Sequence, residues 1–329
     1  MRIPRVVTLA AATMAAALPL AAQSRPAVTA ETIRRWEREL SNSGRWGAED
    51  ELGTLNLVTP EHRVRAAQLV REGITVSLSH DYIKERAEDA TSPWGHDILG
   101  SPTTAAFISD RYTIAYHGYA HSHMDALCHN SSGGLMYNGI PRTTVDSVAN
   151  GDGCVRLGID NAKQGIVTRG VLVDIARLKG VEYLEPGTAI YVEDLEAWER
   201  QAGVRVGPGD VLFVRAGRWA RRADTGPWAT GRLGAGLHAS VAPWLKERGV
   251  AMLGSDYIND VLPSQVEGVA MPIHLLTLVT MGMWLFDNLD LEALADVAAE
   301  QGRWEFMVVA APLAVPGGTG APLNPVAIF

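Results

Sequence analysis

The 329-residue chain has only two cysteines, Cys128 and Cys154. They form no Cys-x-x-Cys pair, which excludes a thiolate zinc ribbon and a thioredoxin-type redox motif. Gly-x-Ser-x-Gly is missing, and with it the nucleophile elbow of a serine hydrolase. There is no Walker sequence and no G-x-G-x-x-G in a strand–helix setting, so the common phosphate and dinucleotide cradles are absent. Basic residues are in the minority: 29 Lys and Arg against 37 Asp and Glu, a formal net charge of -8. A nucleic-acid partner wants a basic stripe, and none is present. Repeats, low-complexity tracts and long charge runs are also lacking.

The long apolar run is confined to the N-terminus. Arg2 and Arg5 precede an apolar stretch over residues 6–20, broken by Pro19, and small residues follow. This is the order of a secretory signal peptide, with Ala22 and Ser24 as positions before a cut. The stretch falls short of the ~20 residues a membrane span needs. Residues 1–22 are therefore expected to be removed, leaving 23–329 as a single exported domain, most simply periplasmic, with no stable membrane association. Export would permit a disulfide between Cys128 and Cys154. Cys128 could be read as a metal ligand or nucleophile, but a small buried residue is the expectation.

Along the mature chain, strand and helix patterns alternate. Ile33, Trp36 and Leu40 at helical spacing predict a helix over 29–40. Thr59, Pro60 and Glu61 read as an N-cap, a first helical position and an early acid, for a helix running to Glu72 and ended by Gly73. Strands are expected at 74–79, 170–175, 210–215, 250–254 and 304–312. Helices are expected at 192–201, 238–249, from His274 to about Met283, and at 290–300. Residues 84–110 show no period and read as a functional loop, with Trp94 and His96 as candidates for substrate contact. The basic, Trp-rich segment 219–228 reads as a loop at a pocket rim. The alternation argues for an α/β layer fold.

Chemistry concentrates between His117 and His129. Four of the nine histidines, His117, His121, His123 and His129, fall here with Asp125. Imidazole and carboxylate suit zinc and similar divalent ions. Tyr112, Thr113, Ile114 and Tyr116 are strand formers, so the segment reads as a strand entering a turn. Alternate residues share a face, which would align His121, His123 and Asp125, and separately His117 and Tyr119.

Ser122-His123-Met124-Asp125 followed by His129 resembles the signature H-x-G-T-H-x-D-x-x-x-H of the metal-dependent cyclase family, which includes bacterial kynurenine formamidases and isatin hydrolases. Tyr119 stands at the first histidine of that signature and His121 at its glycine. The first ligand is thus open among Tyr119, His117 and His121; we place His121 there, with His117 in reserve. Arg45-Trp46-Gly47 through Asn56–Pro60, Gly254-Ser255-Asp256 with Pro263-Ser264, and the segment 317–325 also resemble the larger bacterial cyclases. The resemblance implies a swivelling β/β/α-type fold, a mixed sheet with flanking helices. It implies a divalent metal, zinc or manganese, held by His121, His123 and Asp125. His274 matches a downstream histidine of a second metal position. Asp287 or Asn288 falls where that position's glutamate is expected, so one ion is expected rather than two. It further implies a small-molecule substrate and a homodimer or homotetramer.

A metal-activated water with His129 as general acid/base would hydrolyse an amide, cyclic amide or lactone bond in a small, often aromatic molecule. The same site could instead run an elimination or ring closure as a lyase or cyclase. With Tyr119 and Asp287 departing from the signature, the chain could also be a non-catalytic periplasmic binding relative.

Overall fold

The most apolar stretches of the chain become the middle of one sheet. The computed structural model describes residues 25, 27–104, 106–147 and 151–329. The expected signal peptide, residues 1–22, lies outside them. Nine strands pair in a mixed sheet: β1 (Thr75–Ser77), β2 (His123–Asp125), β3 (Ile166–Asp174), β4 (Val211–Arg215), β5 (Met252–Ser255), β6 (Trp284–Asp287), β7 (Glu305–Ala310), β8 (Gly320–Pro322) and β9 (Val326–Ile328). Their order is β1-β9-β7-β3-β4-β5-β6-β2-β8. The central four, β3 to β6, run parallel. The flanking pairs are antiparallel. Strands covered on both faces read as continuous apolar runs. Val211–Arg215 and Met252–Ser255 are buried throughout.

Helices α1 (Ala30–Glu39), α2 (Pro60–Ala67), α3 (Val192–Ala202), α4 (Arg218–Thr225), α5 (Ala242–Arg248) and α6 (Glu292–Gln301) flank the sheet. The caps follow from the residues. Thr29 accepts from the Thr32 amide at the start of α1, and Pro60 opens α2 behind Thr59. Helix α2 closes at Ala67, earlier than the pattern suggests, with the Gln68 amide shared among the last carbonyls. This mixed α/β architecture is the expected one.

Two segments differ from expectation. Residues 84–110 hold one strand of a hairpin, Gly95–Leu99 paired with Ser109–Thr113. Neither strand has a buried residue, so no alternation marks them. The segment 219–228 is largely helix α4 rather than loop. Trp219 is buried and its indole N–H donates to the Leu289 carbonyl at 2.8 Å. The indole N–H of Trp228 donates to the Leu233 carbonyl, and its ring lies against Arg221.

Cys128 and Cys154 are joined in a disulfide. Cys128 is therefore neither free ligand nor nucleophile, and its burial reflects the bridge. The bond clamps the turn that carries His129 to a segment 26 residues on. Among the described residues no helix is long and apolar enough to cross a membrane.

Candidate metal and catalytic site

Strand β2 lies between β6 and β8, and this placement builds the site. His123 and Asp125 share a face by strand alternation, while Met124 enters the core. Asp287 of β6 lies directly opposite His123, so the two side chains share that face. Their Nε2 and Oδ2 atoms are 3.9 Å apart. Gly320 of β8 lies opposite Asp125. A Cβ there would sit 2.9 Å from the His117 ring and 2.4 Å from the Met124 carbonyl. Glycine at 320 therefore gives His117 room.

His117 comes back over β2 from a loop. Its Nδ1 is 3.0 Å from Asp125 Oδ1, and its Nε2 is 3.0 Å from the Thr319 hydroxyl. His123 Nε2 is 3.4 Å from the same Asp125 oxygen. On the other side, His274 Nε2 is 3.6 Å from Asp125 Oδ2 and 3.3 Å from Asp287 Oδ2. Two candidate ligand groups result: His117, His123 and Asp125, and Asp125, His274 and Asp287. Asp125 is common to both.

Partners behind the ligands fix their orientation. Asp260 accepts from His274 Nδ1 at 2.7 Å and from the amides of Ile273 and His274. This carboxylate–imidazole pairing is the usual second partner of a metal-bound histidine. Asn259 donates to Asp287 Oδ1 at 2.6 Å. His274 itself ends the short helix Pro272–His274, just before a π-helical run over Leu275–Met281.

The residues fit a cation. Asp125 Oδ1 and His117 Nδ1 face each other at 3.0 Å without hydrogen-bond alignment, and Asp125 Oδ2 is buried with no hydrogen bond. Orphaned buried polar atoms are costly and demand a reason. A divalent ion between them supplies one, and imidazole nitrogen with carboxylate oxygen is a donor set such ions take. Electrostatics agree. Burial opposes ionisation of Asp125, yet the surrounding His129, His117 and His123 hold its carboxyl well below the usual range. Burial likewise opposes charge on His274, but Asp287 and Asp260 outweigh it and hold the imidazole well above its usual value. The cluster thus favours positive charge, which an ion can supply in place of protons.

His129 stands apart from both groups. Its ring stacks on His117 at 3.9 Å, 8° from coplanar. Its Nε2 is 3.9 Å from Asp125 Oδ2, and its side chain keeps 31% exposure. Burial pushes this imidazole down to about 4. At neutral pH it is an uncharged base facing the ligand carboxylate.

The structure does not bring His121 into the cluster. Its Nε2 meets the Ser92 carbonyl at 3.1 Å, and its ring faces Tyr82 and Trp94. The alternation that would align it with His123 does not reach it, because β2 begins only at His123. His117, held in reserve, is the histidine that lies against Asp125 instead. Tyr119 also stays out, stacking on Tyr257. Asp287 and Asp260 are the acids that sequence reasoning undervalued or missed. Asp260 lies 14 residues before His274 in an irregular segment, with no periodic signal to mark it.

The Cyclase family model, described as "Putative cyclase", matches residues 63–259. A solved structure of a novel cyclase is 31% identical, covers 88% of this chain and 99% of its own, and superposes with a TM-score of 0.80. Isatin hydrolase A from Ralstonia solanacearum is 20% identical over 80% of this chain and 94% of its own, with a TM-score of 0.55. Isatin hydrolase A from Labrenzia aggregata, bound to benzyl benzoate, is 18% identical over 80% and 94%, with a TM-score of 0.53. These last two likenesses concern the fold alone. No curated protein matches the chain.

Proposed function

Because the chain belongs to the cyclase family, we propose that it is a metal-dependent hydrolase opening an amide, cyclic amide or lactone bond in a small molecule. The observation that carries this reading is the buried carboxylate of Asp125, ringed by four imidazoles yet accepting no aligned hydrogen bond. His117, His123 and Asp125 would hold the ion, zinc or manganese, and His274 with Asp287 would offer a second position sharing Asp125. A divalent ion bound there lowers the pKa of a water toward about 7 and polarises a carbonyl oxygen.

His129 supplies the proton transfers. Its neutral imidazole takes a proton from the attacking water as the water oxygen bonds to the carbonyl carbon. The carbon–nitrogen or carbon–oxygen bond then breaks, and the imidazolium returns that proton to the leaving atom. The products are a carboxylic acid and an amine or alcohol, joined in one molecule when the substrate is cyclic. Asp260 keeps His274 Nδ1 engaged, so that its Nε2 faces Asp125 and Asp287. Tyr82 and Trp94, stacked at 3.9 Å beside His121, support a planar or apolar substrate.

The disulfide agrees with export to an oxidising compartment such as a periplasm. We also propose a homodimer or homotetramer; the exposed Ile98, Phe107 and Ile108 in and beside the hairpin support an assembly.

The test is turnover in oxygen-18 water, with the metal-loaded protein and a panel of aromatic amides, cyclic amides and lactones. Hydrolysis predicts one labelled oxygen in each product carboxylate. Product without label points to elimination or ring closure. A fully loaded protein inert to the whole panel contradicts the reading.

A further inference from the structure

The loop from His117 to Ser122 makes no strand pairing, yet it must set His117 against Asp125. Gly118 turns it with φ +146°. Three of its carbonyls, those of Gly118, Tyr119 and His121, are met by side chains. Asn288 Nδ2 donates to the Gly118 carbonyl at 2.7 Å and lies 3.5 Å from that of His121. Arg218 Nη2 donates to the Tyr119 carbonyl. His123 Nδ1 lies 2.8 Å from the His121 carbonyl.

Asn288 is the hub of this arrangement. Its Oδ1 accepts from Arg218 Nη1 at 2.8 Å. Its own carbonyl accepts from the Ser122 hydroxyl at 2.8 Å. Its amide donates to the Tyr257 carbonyl at 2.7 Å. It is fully buried, sits at φ +55°, and directly follows Asp287 at the end of β6. Arg218 is itself buried, with Asp89 at 3.7 Å as its ion-pair partner. The hydrogen bonds of its guanidinium go to Asn288 and the loop, and its face lies over Trp219.

We propose that Asn288, backed by Arg218, is a positioning residue for metal binding: it ties the His117 loop to the strand bearing Asp287 and so fixes the spacing of the two ligand groups. This rests on the reading that His117, His123 and Asp125 hold an ion. It is a different role from that of the ligand expected at this position. The amide touches no ligand atom; it works through the carbonyls of Gly118 and His121. Both of its ends are used, the donor on the loop and the acceptor on Arg218. Aspartate keeps the size and the acceptor but loses the donor. Glycine keeps the left-handed backbone and loses both.

The experiment titrates zinc alone into chelator-stripped protein, for the wild type, Asn288→Asp, Asn288→Gly, His117→Ala and the double variant His117→Ala with Asn288→Gly. Thermal melting is recorded for each without metal. Partners behind metal ligands typically carry about 10–100-fold in affinity. Each Asn288 variant that melts as a folded protein should therefore bind zinc at least about tenfold more weakly. In the double variant the losses should not add, because both act through one loop. Wild-type zinc affinity in a folded Asn288 variant overturns the proposal. Additive losses in the double variant overturn it too, because Asn288 would then act elsewhere than through His117. Neither readout depends on turnover, so failure of the hydrolase reading leaves this test intact.

Discussion

The Asp125→Ala variant is expected to lose its bound ion and its activity together. Asp125 is the one side chain shared by both ligand groups, and its two oxygens face His117 and His123 on one side and His129 and His274 on the other. Removing it strips the carboxylate from both groups and leaves only Asp287, which faces His123 and His274 but forms no ion pair with His117 or His129 among the described residues. A site ion contributes several kcal/mol of transition-state stabilisation, and each tenfold in rate is about 1.36 kcal/mol. The rate should therefore fall roughly a thousandfold or more. Metal content and kcat/KM measured on one preparation check this. Wild-type occupancy in the variant would remove Asp125 from the ligand set.

The His129→Ala variant should separate the two properties. His129 belongs to neither ligand group, and its partly open ring lies against His117. Metal should remain close to the wild-type level. Activity should fall by about a hundredfold to ten-thousandfold, the usual contribution of a positioned acid–base group. The loss should appear in kcat, because the group acts on a proton in flight rather than on substrate binding. Exogenous imidazole should restore part of the rate by filling the vacated space. A variant that loses its metal would make His129 a ligand; one that turns over normally would leave it without a role.

How far such a site is legible in a sequence depends on what local pattern can carry. The central strands were legible because both faces are buried, leaving apolar runs such as Val211–Val214 that admit few alternatives. Alternation paired His123 with Asp125 correctly, because both lie on β2. It failed for His121, because the period holds only while the chain is a strand. Gly118 turns the loop before that strand, and the reserve His117 comes to Asp125 instead. Asp287 departs from the glutamate expected there, yet β6 carries it opposite His123. Asp260 left no trace, since its role depends on a 14-residue return of the chain to His274. The hairpin around residues 95–113 was unreadable for the opposite reason: with no buried face, nothing forces its residues to alternate. Cys128 and Cys154 were visible, but their Cα separation of 6.3 Å is a property of the fold.

In the proposed site His117, not His121, completes the metal ligands with His123 and Asp125. The most direct test is elemental analysis of the protein after zinc or manganese loading, beside His117→Ala and His121→Ala. The geometry predicts about one ion per chain or more in the wild type, a similar content in His121→Ala, and a clear loss in His117→Ala. Loss in His121→Ala with retention in His117→Ala, or no metal in the loaded wild type, would contradict it.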